Sequence, residues 1–447
     1  MRPSPANILS WTESSPGLWS RGLDATEEHF VSMGAIAKPY GREFGFLSVM
    51  MKIDFGGVDP IETARNAWLS IRYHQPLLAS SLDGPKRIYR TASDVELKSW
   101  LKETFITYPD RTSDQSAEQL RLNLRPVKRA QLHVLPNSRE IILHAGHDVL
   151  DGHAMLILVN TLLKELNTPT RNIIFGSEAT KLPLPLCLAA NVPPPTEKQK
   201  NQVKLALEKW FAALPWLSIR AINTDQPPGD TKAQRQELTE AETEAVIAAA
   251  KARGFSPTHV VEAAAILAIA KLDLEPSDKS YGSCGIFSMR QQCESRWRES
   301  VIPYLAIYPM VIKPTNFQDT CAQLKAYYTD LRADSHNFLS LVEPVFRSFA
   351  SMASNPPPPG SNRMTSLSSI GRLEPALQSM HGPVKLEDLW LMYETPNAAV
   401  NSFLWTRQGV LSWQVVYNAM YYEEETIAKW IAMTRQTLFE GLGIQEP

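Results

Sequence analysis

Apolar residues follow two patterns along this chain: short apolar runs that predict strands, and recurrence at helical spacing that predicts helices. Both patterns occur in each half of the chain. Residues 46–55 are rich in apolar and β-favouring side chains and predict a buried strand. Asp59-Pro60 follows, a pair typical of a helix cap and first turn. Apolar residues then recur at helical spacing, at Ile61, Ala64, Trp68 and Ile71.

The same succession returns later in the chain. Residues 140–144 predict a buried strand, and 153–166 predict a helix whose apolar face carries Leu156, Val159, Leu163 and Leu166. Thr239 and Glu242 have capping-box spacing, and Ser256-Pro257 predicts a further helix start. Residues 401–405 and 411–417 predict late strands. Strands and helices in both halves predict a mixed α/β fold.

Length and proline distribution predict two domains. The chain has 447 residues, more than one compact core usually holds. Prolines cluster in 182–196, and a polar stretch covers 223–236. We predict an N-terminal domain at 1–190, a crossover linker at 191–236 and a C-terminal domain at 237–447.

Composition and charge exclude several classes of protein. With 45 Lys+Arg against 47 Asp+Glu, the net charge is −2, so the chain lacks the basic excess of nucleic-acid binders and polybasic membrane-surface proteins. Its 4 scattered cysteines predict reduced thiols rather than a disulfide frame or zinc site. The apolar stretch 260–272 contains Glu262 and is too short to span a bilayer. We expect a cytoplasmic monomer.

One motif carries candidate chemistry. His147, Asp151 and Gly152 form an H-x-x-x-D-G pattern between the strand at 140–144 and the following helix. Gly152 permits a tight turn, and a histidine with an ordinary pKa near 6.5 can accept a proton at neutral pH. Asp151 either orients the imidazole directly or braces the loop through an arginine. The alternative is a hydrogen-bonded core histidine.

This motif resembles the signature of the HxxxDG acyltransferase superfamily with the chloramphenicol acetyltransferase fold. That superfamily includes plant BAHD acyltransferases, peptide condensation domains, carnitine acyltransferases and fungal trichothecene O-acetyltransferases. Weaker similarities lie at 21–28, 74–77, 281–290, 366–373 and 401–422. Gly146 replaces the second histidine of condensation domains, and the plant DFGWG motif is absent. The fungal trichothecene-type subgroup therefore fits best.

The resemblance implies two α/β sandwich domains with a tunnel at their interface, in which the histidine deprotonates an acceptor that attacks an acyl thioester. His147 is then the general base. Ser368 matches the serine that stabilises the oxyanion, with Ser366 and Ser369 as neighbouring candidates; local hydrogen bonding is the alternative for all three. Arg290 is the expected partner of Asp151, with Arg21 as the rival.

Late aromatic residues are the candidates for an apolar acceptor pocket, with a place in the core as the alternative: Trp405, Trp413 and Tyr417 among them. His144 and His153 flank the motif, but no carboxylate completes a zinc set. We predict no metal and no tightly bound cofactor.

These residues predict an acyl-CoA-dependent O-acyltransferase, with acetyl-CoA as co-substrate, that modifies a hydroxylated small molecule in fungal secondary metabolism. One alternative is a condensation-domain-like enzyme of the same fold that catalyses a cyclisation, a pericyclic step or a carrier-protein-dependent step without free acyl-CoA. A second is a non-catalytic binding protein on this scaffold.

Overall fold

The computed structural model describes residues 8–112, 114–170, 172–273 and 278–445. The strands are β1 Thr12–Ser15, β2 Leu18–Gly22, β3 Leu47–Asp54, β4 Ser81–Asp83, β5 Lys86–Arg90, β6 Phe105–Thr107, β7 Gln131–Leu135, β8 Glu140–Ala145, β9 Thr231–Glu237, β10 Tyr281–Ser288, β11 Leu305–Ile312, β12 Thr365–Arg372, β13 Met380–His381, β14 Val384–Tyr393, β15 Val400–Arg407 and β16 Val410–Asn418. The helices are α1 Ala25–Ala35, α2 Pro60–His74, α3 Asp94–Thr104, α4 Ala117–Arg121, α5 Gly152–Asn167, α6 Leu186–Ala189, α7 Glu197–Ala212, α8 Glu240–Ala252, α9 Pro257–Leu272, α10 Phe317–Ala333, α11 Ser335–Ala353 and α12 Glu424–Leu442.

A six-stranded sheet with the order β13-β14-β3-β8-β7-β6 forms the core of the N-terminal half. Every residue of β8 is buried, as are all but two of β3, because both faces of the sheet are covered. Helices α2 and α5 pack together on one face. Asp59 caps α2 by accepting a hydrogen bond from the Glu62 amide, which confirms the predicted helix start.

A four-stranded sheet with the order β12-β15-β16-β9 forms the core of the C-terminal half. Helix α8 packs on β16, and α9 packs against α10 and α12. The capping box of Thr239 and Glu242 is present at the start of α8, and Ser256 caps α9. The late strands predicted at 401–405 and 411–417 are β15 and β16.

The chain crosses between these two sheets late in the sequence. Strand β14 follows β12 in the chain but pairs antiparallel with β3, from Lys385 opposite Asp54 to Tyr393 opposite Leu47. The C-terminal half therefore supplies two strands, β13 and β14, to the N-terminal sheet. The segment 191–236 holds helix α7 and most of strand β9, so it is not a simple extended linker. The division into two domains stays a prediction.

One face of each sheet turns toward the other sheet. Met50, Ile142 and Met392 of the six-stranded sheet form a buried cluster with Val416 of β16. The Gln414 amide of β16 donates a hydrogen bond to the carbonyl of Leu391. Paired residues of β15 and β16 share a face, so Phe403, opposite Gln414, also lies on this side. The two sheets thus face each other across a shared layer.

No individual helix in the described part of the chain is long and apolar enough to cross a membrane, although the bent pair Glu240–Ala252 and Pro257–Leu272 meets that criterion together by length and composition.

Candidate active site

The HxxxDG motif occupies the loop between β8 and α5. Strand β8 ends at Ala145, and α5 begins at Gly152. Asp151 is the N-cap of α5, and its Oδ1 accepts a hydrogen bond of 2.6 Å from the Ala154 amide. His147 therefore stands in a short loop whose two ends are fixed by a central strand and a capped helix.

The ion pair predicted between Asp151 and Arg290 is present. Arg290 Nη2 lies 3.0 Å from Asp151 Oδ1, and the Tyr304 amide donates to Asp151 Oδ2 at 2.7 Å. Burial raises the pKa of Asp151, but Arg290 and the two amides outweigh it, so the pKa is lowered. Arg290 also donates to three carbonyls, those of Arg298, Ser300 and Ile302. Asp151 thus braces the loop through an arginine.

A second ion pair holds the same loop. Asp148 Oδ2 accepts a hydrogen bond of 2.7 Å from Arg87, which also binds Glu27 at 2.8 Å. Arg21, the rival partner for Asp151, instead pairs with Glu27 at 2.5 Å. Burial raises the pKa of Glu27, but the two arginines outweigh it and lower the pKa to about 2. Asp148 and Arg87 were not among the predicted site residues, although the position of Asp148 inside the motif was an available signal.

His147 is partly buried and enclosed by aromatic rings. The Phe30 ring lies flat on the imidazole, with centroids 3.9 Å apart and planes 6° apart. The Tyr393 ring meets it edge-on, with centroids 5.9 Å apart and planes 82° apart. Burial lowers the pKa of His147, against smaller opposing effects of its own carbonyl, Asp151 and Asp148. The imidazole is therefore neutral at physiological pH and able to accept a proton.

Neither ring nitrogen of His147 is in hydrogen-bond geometry with another described residue, and only its own carbonyl is near enough to raise the pKa of the ring. Nδ1 is fully buried, whereas Nε2 is not. The alternative of a satisfied core histidine therefore does not hold for His147. It does hold for His144, whose Nδ1 contacts Ser48 Oγ at 2.8 Å and whose Nε2 contacts the Arg125 carbonyl at 3.1 Å.

Ser368 lies on the face of the C-terminal sheet that turns toward the N-terminal sheet. It is next to Phe403 in the parallel pairing of β12 and β15, and the Phe403 and Tyr393 rings have centroids 6.3 Å apart. Its hydroxyl has no hydrogen-bond partner among the described residues. Ser369 points to the opposite face and bonds Thr258 at 2.8 Å, and Ser366 bonds Asn401 at 2.9 Å.

The three aromatic candidates for an acceptor pocket are all buried, and only one is on the face of Ser368. Trp405 pairs with Ser412 and shares the Phe403 face. Trp413 and Tyr417 alternate to the helix side, where Trp413 meets Trp430 of α12 at 5.0 Å between centroids. The structure thus does not bring Trp413 and Tyr417 to His147, because that face of the sheet is covered by helices.

Gly152 differs from its predicted role. Its backbone is not left-handed, and an added Cβ would meet no atom of the described chain within 4 Å. The tight turn is therefore not the reason for glycine here; the residue leaves open space at the start of α5. The close approach lies at Gly146, where a Cβ would stand 2.3 Å from Asp148 Oδ1.

His147 lines neither of two clefts in the described chain. One runs between α7 and α11, and the other is lined by side chains that include Phe46, His144 and Arg121. Within the described ranges no group of three His, Cys, Asp or Glu side chains is placed to hold a metal ion. The tunnel at the interface stays a prediction.

The fold matches solved structures along its whole length. Trichothecene 15-O-acetyltransferase TRI3 of Fusarium sporotrichioides superimposes with a TM-score of 0.84 at 15% identity, covering 99% of this chain and 100% of that one. The epimerization domain of the third module of tyrocidine synthetase B superimposes with a TM-score of 0.63 at 15% identity, over 96% and 99%. The chain has the chloramphenicol acetyltransferase fold.

Three relatives found by sequence comparison align with nearly the whole of this chain. Acetyltransferase pigO of Monascus ruber is 25% identical over 98% of this chain and 99% of its own length. O-acetyltransferase pigM of the same species is 20% identical over 98% and 88%. A protein of Epichloe uncinata called loline biosynthesis cluster 1 transcription factor lolU1 is 25% identical over 97% of both. No family model matches the chain. These similarities confirm the predicted acyltransferase superfamily and an acyltransferase enzyme.

Proposed function

We propose that this protein transfers an acyl group, acetyl by preference, from acyl-CoA to a hydroxyl group of a small secondary metabolite. The observation that carries the proposal is His147: a neutral imidazole without a hydrogen bond to any other described residue, at the end of a central strand. Two ion pairs hold its loop. A histidine that is kept unprotonated and whose Nε2 is not fully buried suits a general base.

The proposed reaction is a direct transfer. His147 Nε2 takes the proton of the acceptor hydroxyl while the oxygen attacks the thioester carbonyl. The tetrahedral intermediate then breaks its carbon–sulfur bond, and the imidazolium returns the proton to the leaving thiolate. An ester and free CoA result, and His147 is regenerated. Ser368 is proposed to donate a hydrogen bond to the oxyanion, because its hydroxyl has no other partner in the described chain.

The test is a mass measurement with acetyl-CoA and a panel of hydroxylated fungal metabolites, including those that accumulate when the gene is deleted. A gain of one acetyl group is expected. His147→Ala should lower turnover by at least about 10², because the alcohol then keeps its proton. His153→Ala, at the start of α5, is the matched control and should be much milder.

A wild-type rate for His147→Ala would remove this mechanism. A product of unchanged mass but altered structure would instead support the cyclisation alternative. The relative lolU1 is called a transcription factor. We do not propose DNA binding for this chain, because its net charge of −2 provides little attraction to phosphates. Cytoplasmic location and monomeric state stay predictions.

A further inference from the structure

The catalytic histidine proposed above makes no hydrogen bond from its ring to another described residue. Such histidines are commonly held by a hydrogen bond from the second ring nitrogen to a carboxylate or carbonyl. Here Nδ1 of His147 is in hydrogen-bond geometry with no other residue of the described ranges, and only the carbonyl of His147 itself is near enough to raise the pKa of the ring. The two carboxylates of its loop are engaged elsewhere, Asp151 with Arg290 and Asp148 with Arg87.

Aromatic rings pack against the imidazole on two sides. Phe30 of α1 covers one face of the imidazole at 3.9 Å and 6°, and Tyr393 of β14 meets it at 82°. We call these two rings the aromatic clamp. They come from opposite ends of the chain, so the imidazole is held only in the complete fold. Rotation of the His147 ring about its Cβ–Cγ bond would drive it into Phe30.

Phe30 itself is held firmly. Its neighbours include the rings of His29, at 5.1 Å between centroids, and Phe346 of α11, at 6.1 Å. Helix α1 begins with a capping box formed by Asp24 and Glu27, and Glu27 also forms ion pairs with Arg21 and Arg87. Arg87 also binds Asp148, so the helix that carries Phe30 and the loop that carries His147 share one ion-pair network.

We propose that Phe30 is a positioning residue for His147: its ring, stacked on the imidazole, fixes the direction of Nε2 toward the reacting hydroxyl. Tyr393 supports the same orientation from the side. The inference rests on the proposed function for its catalytic meaning, whereas the stacking itself does not depend on which reaction occurs.

Several ionisable groups face His147 and bear on any pH profile. Asp148 and Asp151 stand on its own loop, each paired with an arginine. On α1, burial and the nearby His147 lower the pKa of His29 to about 3, so His29 is neutral. On β14, burial raises the pKa of Tyr393, so its hydroxyl is also neutral. At the N-cap of α1, burial and the nearby Glu27 raise the pKa of Asp24 to about 7, so Asp24 also titrates near neutral pH.

The first measurement is of the imidazole itself, by NMR of protein labelled in its 9 histidines, with the His147 signals assigned from His147→Ala. A ring stacked on a phenyl face has its carbon-bound protons shifted upfield. In Phe30→Leu these signals should move downfield, and in Phe30→Tyr they should stay. Phe349→Leu is the matched control, since Phe349 touches His29 and Trp210 but has no ring contact with Phe30 or His147.

The second measurement is of turnover, as thiol release from acetyl-CoA with water as acceptor. Phe30→Leu should lower kcat by about 10- to 100-fold, because small misplacements of a catalytic group are costly. KM for acetyl-CoA should change little. The apparent pKa of the kcat profile should rise toward about 6.5, because water then reaches the ring. Phe30→Tyr should keep the kcat of wild type, because its ring can stack in the same way. Phe349→Leu should lower the free energy of unfolding but leave kcat unchanged.

Phe30→Met is a second variant of similar volume in case Phe30→Leu does not fold, and the same loss is expected. The proposal is overturned if the His147 signals do not move in Phe30→Leu or Phe30→Met. It is also overturned if kcat and the pH profile of these variants match Phe349→Leu. If wild-type protein releases no thiol and acetylates nothing, the proposed function fails, while the NMR comparison still decides whether Phe30 orients His147.

Discussion

At the scale of single residues, the site depends on which face of a strand a side chain occupies. Ser368 and Ser369 are adjacent in the sequence, yet Ser368 shares the face of Phe403 and Ser369 bonds Thr258 on the helix side. Gly146 is equally specific: a side chain there would displace the carboxylate that binds Arg87. This gives a physical reason why the second histidine of condensation domains is absent here.

Ser368→Ala should lower kcat by about 10²–10³ with little change in KM, because a hydrogen bond to the oxyanion forms only in the transition state. The measurement is steady-state kinetics with acetyl-CoA and the identified acceptor. Ser369→Ala is the control, because that hydroxyl faces the helices. Normal kcat in Ser368→Ala would assign the oxyanion to main-chain amides or another donor.

At the scale of elements, the loop between β8 and α5 is braced from both halves of the chain. Arg87 reaches it from β5, and Arg290 reaches it from the residues after β10. Asp151 also caps α5, so one carboxylate serves the helix, the loop and the contact between halves. The loop that carries the imidazole is therefore placed by ion pairs that do not touch the ring.

Asp151→Asn should destabilise the protein by about 3–5 kcal/mol, because it leaves Arg290 buried without a counter-charge. The kcat should fall while KM stays, since the His147 loop loosens. Urea unfolding and kinetics measure the two effects. Lys204→Gln breaks the exposed pair with Glu208 and should cost about 0–1 kcal/mol. Equal stability of Asp151→Asn and Lys204→Gln would contradict the bracing role.

At the scale of the whole molecule, the two halves are joined by shared structure rather than by a linker alone. Strand β14 completes the N-terminal sheet and carries Tyr393 to His147.

In the C-terminal half, helix α9 packs between α10 and α12 and contains the buried Glu262. The Oε2 atom of Glu262 accepts a hydrogen bond of 2.9 Å from Tyr328, while Oε1 has no hydrogen-bond partner in the described chain. Burial raises the pKa of Glu262 to about 8.

This raised pKa predicts a pH-dependent stability. Glu262 is protonated in the fold up to about pH 8, whereas in the unfolded chain it ionises near about 4.3. Its stabilising contribution is complete below the unfolded pKa and is lost as pH rises toward 8. The glutamine of Glu262→Gln stays neutral at every pH. The free energy of unfolding of this variant, relative to that of wild type, should therefore increase as the pH rises from 5 to 8. Urea unfolding of both proteins measures the difference.

The exposed Glu425→Gln is the control and should keep a constant difference from wild type over the same pH range. A constant difference for Glu262→Gln would mean that Glu262 is already ionised in the fold.

Much of the local structure follows from the sequence by itself. Strand β3, the cap of α2 at Asp59 and the capping box of α8 were predicted from residues within a few positions of one another. The HxxxDG motif likewise placed His147 between a strand and a helix, and the resemblance it carries predicted the pairing of Asp151 with Arg290. Periodicity, caps and turn residues act over short distances, so a sequence reveals them directly.

Only the tertiary structure decided which distant residues surround His147. Phe30 and Tyr393 are far apart in the chain and have no common motif, and they meet at the imidazole because β14 returns to the N-terminal sheet. The alternation in β16 was visible in the sequence, but it does not tell which face the helices cover. Trp413 and Tyr417 therefore fitted a pocket as well as a core until packing placed them beneath the helices. Side chains on the two faces of a strand are chemically similar, and only their packing partners distinguish a core from a site.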